Sequence, residues 1–338
     1  MVRPTLDIVT IGQCNPNIET ASDACTLNGS MDAIFEAPFG DMGVEHLVLK
    51  DLNLLLSFEV GFGEDLPEGY LLGTNGDFVG ELDETVRRYE AALGYKAHGA
   101  DFKLGITDPA RYIFPSNTTR DENRLFLNGG IWRPRTFQLP ASLVMPGFGG
   151  SYDADFLIVA AGFGWDAFGS QDVMSFARLG VPWARGSHWE GAIHFVVVNT
   201  HGSTLDEENQ VNVPHGGTTV GGFIEQQLGE HMRFGLQLGY IFDEANKDSF
   251  GLSPQLLGVF GENVFGFAYA YDQGDTLIPN AETGEGEEGH VQAVEFFYRR
   301  DVQVGEEVKL GLTAGLQTLF QPNTDVAWVP GARIFALW

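Results

Sequence analysis

The sequence predicts an all-β protein: a transmembrane antiparallel β-barrel of about 16 strands, with short periplasmic turns and long extracellular loops. Three observations predict it. Two-residue alternation between unlike faces runs through the C-terminal third, one tight turn recurs between strands, and no run of 18 or more apolar residues exists to make a spanning helix.

The alternation is clearest from Val308 to Gln317. Leucines and Ala314 fall on one side, and Lys309, Gly311, Thr313, Gly315 and Gln317 on the other. Val291 to Asp301 reads as the preceding strand, Gln321 to Asp325 as a polar break, and the last strand ends at Leu337-Trp338. Leu228-Gly229-Glu230-His231, Phe260-Gly261-Glu262-Asn263 and Val304-Gly305-Glu306-Glu307 repeat one apolar-Gly-Glu-polar turn. Longer connections, Asp243 to Phe250, Asp272 to Gly289 and Gln321 to Asp325, alternate with these turns. Short turns at one end and long loops at the other are the topology of an outer-membrane barrel, with the chain end on the periplasmic side.

A soluble sandwich alternates in the same way but points its apolar face inward. In either architecture Met232, Phe234, Leu236, Leu238 and Tyr240 share a face, as do Phe265, Phe267, Tyr269 and Tyr271. Opposite them stand Arg233, Gly235, Gln237 and Gly239, then Gly266, Ala268 and Ala270. Small and polar residues in such number suit a lumen wall better than the solvent side of a sandwich.

From the N-terminus, Leu6 to Gly12 reads as a short strand and Cys14 to Asn28 as loop. Ala33 to Phe39 and Glu45 to Phe62 are longer strands, the second with poor alternation. Thr85 to Tyr95 and Ala100 to Thr107 form a hairpin turning at Gly99. Phe156 to Phe163 is a strand, Gln171 to Leu179 a short helix capped by Ser170, Gly191 to Thr200 a strand, and His201 to Gly217 a long polar loop. The whole chain, 1 to 338, makes one barrel, with residues 1–30 as its N-terminal strand and loop.

Composition agrees. Of 338 residues 44 are glycine, suited to turns and a crowded lumen, and 12% are aromatic, suited to interface girdles. Mean hydropathy is −0.06, as expected when only every second strand position must be apolar. The chain carries 19 basic and 46 acidic residues, a net −27, which disfavours nucleic acid as a partner. The acid concentrates in loops such as Glu282 to Glu288, where carboxylates could collect calcium, although the spacing matches no calcium-loop signature. No other cofactor is implied.

Cys14 and Cys25, with ten residues between them, are the only cysteines. In an exported chain they are expected to form a disulfide closing the N-terminal loop. Met1-Val2-Arg3-Pro4 lacks the apolar core of a signal peptide, so export implies a mature form with an added or retained methionine. The spacing of His188, His194, His201 and His215 gathers no three ligands on one element, and no G-x-S-x-G elbow is present. Neither a metal site nor an enzyme is nominated.

Two stretches carry a family resemblance. The first runs Gly105-Ile106-Thr107-Asp108-Pro109, then Phe114-Pro115-Ser116-Asn117 through Asp121 to Phe126-Leu127-Asn128. The second is Leu316 to Asn323, with Gly331-Ala332-Arg333 and a terminal aromatic. Their order resembles the carbohydrate-selective porins of the outer membrane, the OprB type. Thr107 stands where that pattern usually has Lys and Trp338 where it often has Phe, so the chain resembles a divergent member. The resemblance implies a bacterial outer-membrane location, passive diffusion of neutral sugars, membrane lipid as surroundings, and no catalysis. Homotrimer and monomer both stay open.

The register nominates Arg233, Lys309, Arg333, Glu295 and Arg299 as pore-lining residues, either ringing a constriction or pairing with lumenal carboxylates. Sugars present apolar ring faces and many hydroxyls. Trp132 and Trp165, in or beside loops, are therefore candidates to stack on them, with Arg133 and Arg135 as donors and Glu225 and Glu295 as acceptors.

Overall fold

A strand in hydrocarbon needs a hydrogen-bonded neighbour on both sides, because an unpaired peptide group there has no water to turn to. The chain meets this need by closing on itself. In the computed structural model, residues 3–14, 25–43, 46, 49–63, 88–107, 112–113, 145–165, 173–206, 211–243, 248–279, 286–305, 308–320 and 327–337 are described. The strands are β1 (Arg3–Cys14), β2 (Cys25–Pro38), β3 (Leu52–Gly63), β4 (Arg88–Ala97), β5 (Ala100–Thr107), β6 (Met145–Ala154), β7 (Leu157–Trp165) and β8 (Val173–Trp183). They continue as β9 (Gly191–Asp206), β10 (Val211–Leu228), β11 (Met232–Asp243), β12 (Ser249–Phe260), β13 (Asn263–Pro279), β14 (Gly286–Val304), β15 (Val308–Phe320) and β16 (Ala327–Leu337). Each pairs antiparallel with its sequence neighbours, and β1 pairs with β16 from Asp7–Leu337 to Gln13–Gly331, so the sheet is a closed barrel.

The turns follow from glycine. Gly229, Gly261 and Gly305, the three glycines of the repeated turn, have φ of 77°, 63° and 71°. An added Cβ at any of them would meet nothing within 4 Å, so backbone conformation, not space, selects glycine there. His98 (φ 52°) and Gly99 (φ 81°) make the β4–β5 turn in the same region.

Burial separates the faces. Leu54, Leu93, Phe102, Leu104, Phe148, Phe195, Leu238, Phe265, Phe296, Leu312 and Ile334 point outward and are exposed, an apolar surface that suits lipid. Aromatics collect at both ends of this face. Phe163 packs on Phe148 and Trp165 toward the long-loop end. Phe260, Phe265 and Tyr298 pack in sequence toward the short-turn end. No helix among the described residues is long and apolar enough to cross a membrane.

Four sequence expectations are corrected. The segment expected to be helical, Gln171 to Leu179, is mostly strand β8, because its Met174, Phe176 and Arg178 alternate with outward Ala177 and Leu179. The polar loop expected from His201 to Gly217 is largely the upper parts of β9 and β10, and that from Asp272 to Gly289 the upper parts of β13 and β14. These strands run 16 to 19 residues, well past the 9–11 or so needed to span a bilayer. Above the lipid both faces meet water, so pairing continues after the alternation fades. Finally, β3 begins at Leu52 rather than Glu45, behind single 3-10 turns at Gly40–Met42 and Leu49–Asp51.

The register sets Cys14 opposite Cys25 on the last rung of β1–β2, where opposed Cα atoms lie about 4.5–5.5 Å apart, inside the span of a disulfide. Denatured, unreduced protein is expected to take up no thiol label, and labelling at both positions would refute the bridge. A second prediction concerns Gly266, where a Cβ would collide with the Phe297 ring. Gly266→Val should destabilise the barrel by about 1–3 kcal/mol, measured as a lower urea midpoint in lipid vesicles.

Candidate functional site

The lumen wall is divided in character. On β11 to β16 its inward positions alternate small residues with long polar ones. Gly235, Gly266, Ala268, Gly311 and Gly315 leave room, and Gln237, Gln255, Glu295, Arg299, Gln317 and Arg333 lie down into it, all nearly or fully buried. Buried polar groups demand partners. Gln317 Nε2 donates to Glu295 Oε2 at 3.1 Å. Arg299 grips Asp301 with both ends of its fork, Nε to Oδ1 at 2.6 Å and Nη2 to Oδ2 at 2.9 Å. Lys309 Nζ lies 2.9 Å from the same Oδ2. One carboxylate thus serves two cations, a charge-assisted arrangement that holds both side chains against the wall. Arg299, Thr313 and Arg333 follow one another across β14, β15 and β16 as directly opposed residues, and Ile11 of β1 continues the row past the closure.

The wall from β7 to β10 is apolar. Ala160, Met174, Phe176, Val196, Val198 and Phe223 form a buried inward cluster. At its lower edge His194 stacks on Phe223, ring centroids 4.3 Å apart, and Arg178 Nη1 lies 3.4 Å from His194 Nδ1. Gly180 makes space for the imidazole, since a Cβ there would meet Nδ1.

The third part of the lumen is where the β5–β6 connection enters. β5 ends at Thr107, yet five residues later Tyr112 Oη donates to Asp101 Oδ1 at 3.0 Å. Asp101 lies six residues back along β5, about 20 Å of strand, so the chain turns into the barrel and descends along its own wall. Ile113 is fully buried in the apolar cluster of β7 to β10. At the top of the descent, buried Glu90 of β4 accepts from Ser57 Oγ and Thr107 Oγ1 at 3.3 and 3.4 Å. Inward side chains at mid-height are shut off from solvent, whereas Arg233 and Lys309, near the short-turn mouth, are reached by it.

Of the residues nominated from sequence, Glu225, Arg233, Glu295, Arg299, Lys309 and Arg333 all take inward register positions. Glu295, Arg299 and Lys309 share the β14–β15 wall, with Arg333 beside it. Arg233 stands apart at the mouth. Trp165 is corrected: its register on β7 turns it outward, where it packs with Phe163 in the aromatic band instead of over the pore. Trp132, Arg133 and Arg135 lie outside the described residues, as do residues 280–285 of the acidic loop. Among the described residues no group of three or more His, Cys, Asp or Glu is arranged to hold a metal.

Arg178, His194, Asp301 and the Tyr112–Ile113 anchor were not nominated. Arg178 was hidden by the helical reading of its strand. The alternation Met174, Phe176, Arg178, Gly180 would have placed it on a face, but not opposite His194.

A scan against protein-family models finds no match, and neither does a search of curated proteins. Solved structures do match. A high-pH structure of Pseudomonas putida OprB superposes with a TM-score of 0.67 at 13% identity, covering 100% of this chain and 94% of that one. OmpT, an outer membrane protein of Vibrio cholerae, in a form lacking loop L8, gives 0.61 at 15% identity over 100% and 99%. The outer membrane protein OpdK of Pseudomonas aeruginosa gives 0.51 at 11% identity over 99% and 99%, and OpdK has also been crystallised with vanillate. Identities this low speak for the fold. Sixteen strands closed on themselves, an apolar outer face and a polar lumen make this chain an outer-membrane β-barrel with the fold of the porins.

Proposed function

We propose that the protein is a diffusion channel of the bacterial outer membrane that favours carbohydrates. The observation carrying this reading is the two-sided lumen: a wall of amides, carboxylates and guanidinium groups on β11 to β16 faces an apolar, aromatic wall on β7 to β10. A sugar has the same two sides, a belt of hydroxyls and apolar ring faces. The polar wall is close to charge-balanced, Glu295 and Asp301 standing beside Arg299, Lys309 and Arg333. Such a wall attracts a neutral solute without holding an ion fast, and transport requires weak binding. The sequence resemblance to sugar-selective porins and the superposition on OprB support the same reading.

A second reading is a channel for small aromatic acids, favoured by the Arg299–Thr313–Arg333 row and by analogy with the vanillate complex of OpdK. Liposome swelling with glucose, maltose, an amino acid and an anion of similar size separates the two. Faster entry of the sugars after size correction is expected. Equal rates would indicate a general porin, and faster entry of the anion would reject the sugar reading.

Two variants probe the wall. Arg333→Ala removes a fully buried side chain from it, and single-channel recording should show higher conductance and altered ion preference. Arg233→Ala, at the mouth, should alter ion preference with little change in conductance. Asp301→Asn takes the shared acceptor from Arg299 and Lys309 and should cost about 3 kcal/mol, read by urea unfolding in vesicles. It should also shift the reversal potential toward anions.

A further inference from the structure

Arg299 and Arg178 are the same residue in nearly the same burial, each 4% exposed and each on the inward face of the barrel. Their surroundings differ. Arg299 has its Nε and Nη2 on the carboxylate of Asp301. Arg178 has donors and no such acceptor: its Nε makes no hydrogen bond, and its one polar contact is Nη1 to His194 Nδ1 at 3.4 Å. For Nδ1 to accept, the imidazole must carry its proton on Nε2, so His194 is neutral in this contact and supplies no counter-charge. The nearest carboxylates, Glu225 and Asp153, act on Arg178 through space, and Asp153 is already gripped by Arg185. Met174 and Phe176 precede Arg178 on the same face, and Phe223 covers the imidazole. A guanidinium in apolar surroundings is costly without a hydrogen-bonded acceptor of opposite charge.

We propose that Arg178, backed by His194 and Phe223, is a binding site for a small monovalent anion in the lumen wall. The ligand is a halide or the carboxylate of a very small acid, because the side chains around the guanidinium are buried and leave no room for a large body. A neutral hydroxyl could accept one hydrogen bond from Nε but would leave the charge uncompensated. The site stands on the wall opposite the Arg299–Asp301–Lys309 group. An anion held there adds a negative charge facing that group, so its occupancy would alter which ions pass.

The test uses the full-length barrel, with folding of each variant checked by heat-modifiable migration on a gel. Crystals soaked in sodium bromide are expected to show an anomalous peak within hydrogen-bonding distance of Arg178 Nε, abolished in Arg178→Gln and weakened by competing formate. Loss of competition by formate, with bromide still bound, would restrict the ligand to halides. In bilayers under a potassium chloride gradient, Arg178→Gln should lower chloride permeability relative to potassium severalfold. Arg178→Lys, which keeps the charge without the fork, should restore part of it. No bromide at Arg178, a peak that persists in Arg178→Gln as an adventitious ion only, or an unchanged reversal potential in Arg178→Gln would each overturn the proposal. Only the permeability measurement rests on the lumen being a solute path. A barrel that passed no sugar would still bind bromide, so failure of the carbohydrate reading and failure of this site are distinguishable.

Discussion

Every peptide group of a strand inside the hydrocarbon must find its partner within the protein, and that constraint governs the rest of this structure. A sheet with free edges cannot meet it. The pairing of β1 with β16 therefore does more than add one more ladder: without it two rows of N–H and C=O groups would face lipid. Closure also sets the parity of every strand, since side chains alternate across a fixed wall. Once Leu238 and Phe265 face outward, Gln237 and Gly266 must face the lumen, whatever their own preferences.

Inside, the wall is close-packed instead of bristling. Long polar side chains lie over glycine and alanine, as Phe297 lies over Gly266 and His194 over Gly180. Charges laid down in this way lose water and must be paid in hydrogen bonds, which Asp301 supplies to Arg299 and Lys309, and Gln317 to Glu295. The opposite wall is apolar, and the β5–β6 connection uses it. Ile113 enters the apolar cluster while Tyr112 ties to Asp101. The descent of this segment and the flat packing of the side chains together make the middle of the barrel much narrower than its short-turn mouth.

Much of this was legible in the sequence, and for a definite reason. From β11 to β15 lipid lies on one side and a small-residue wall on the other, so the two faces differ in kind and period-2 reading assigns them. The repeated Gly-Glu turn was equally readable, because a positive φ demands glycine locally. Where the faces are alike the reading failed. β8 and β9 are apolar on both sides at mid-height, and Met174 to Leu179 then passes for a helix. The upper parts of β9, β10, β13 and β14 stand in water on both sides and pass for loop. Trp165 sits beside a loop in the sequence, which suggested the pore, but its place in the register sent it to the lipid side.

The sequence by itself determined the class of fold, the direction of its turns and the lipid-facing residues of its C-terminal half, all of which depend on neighbours two to four positions away. Tertiary structure alone decided which lumenal groups meet. Arg299 and Arg333 are 34 positions apart and stand in one row only because β15 lies between them. Ile11 joins that row only because the barrel closes. Arg178 reaches His194 across one strand boundary, and Tyr112 reaches Asp101 because its chain turns inward. Periodicity carries the parity of a side chain but not its height on the wall, and contacts across a barrel are set by height, through stagger and closure.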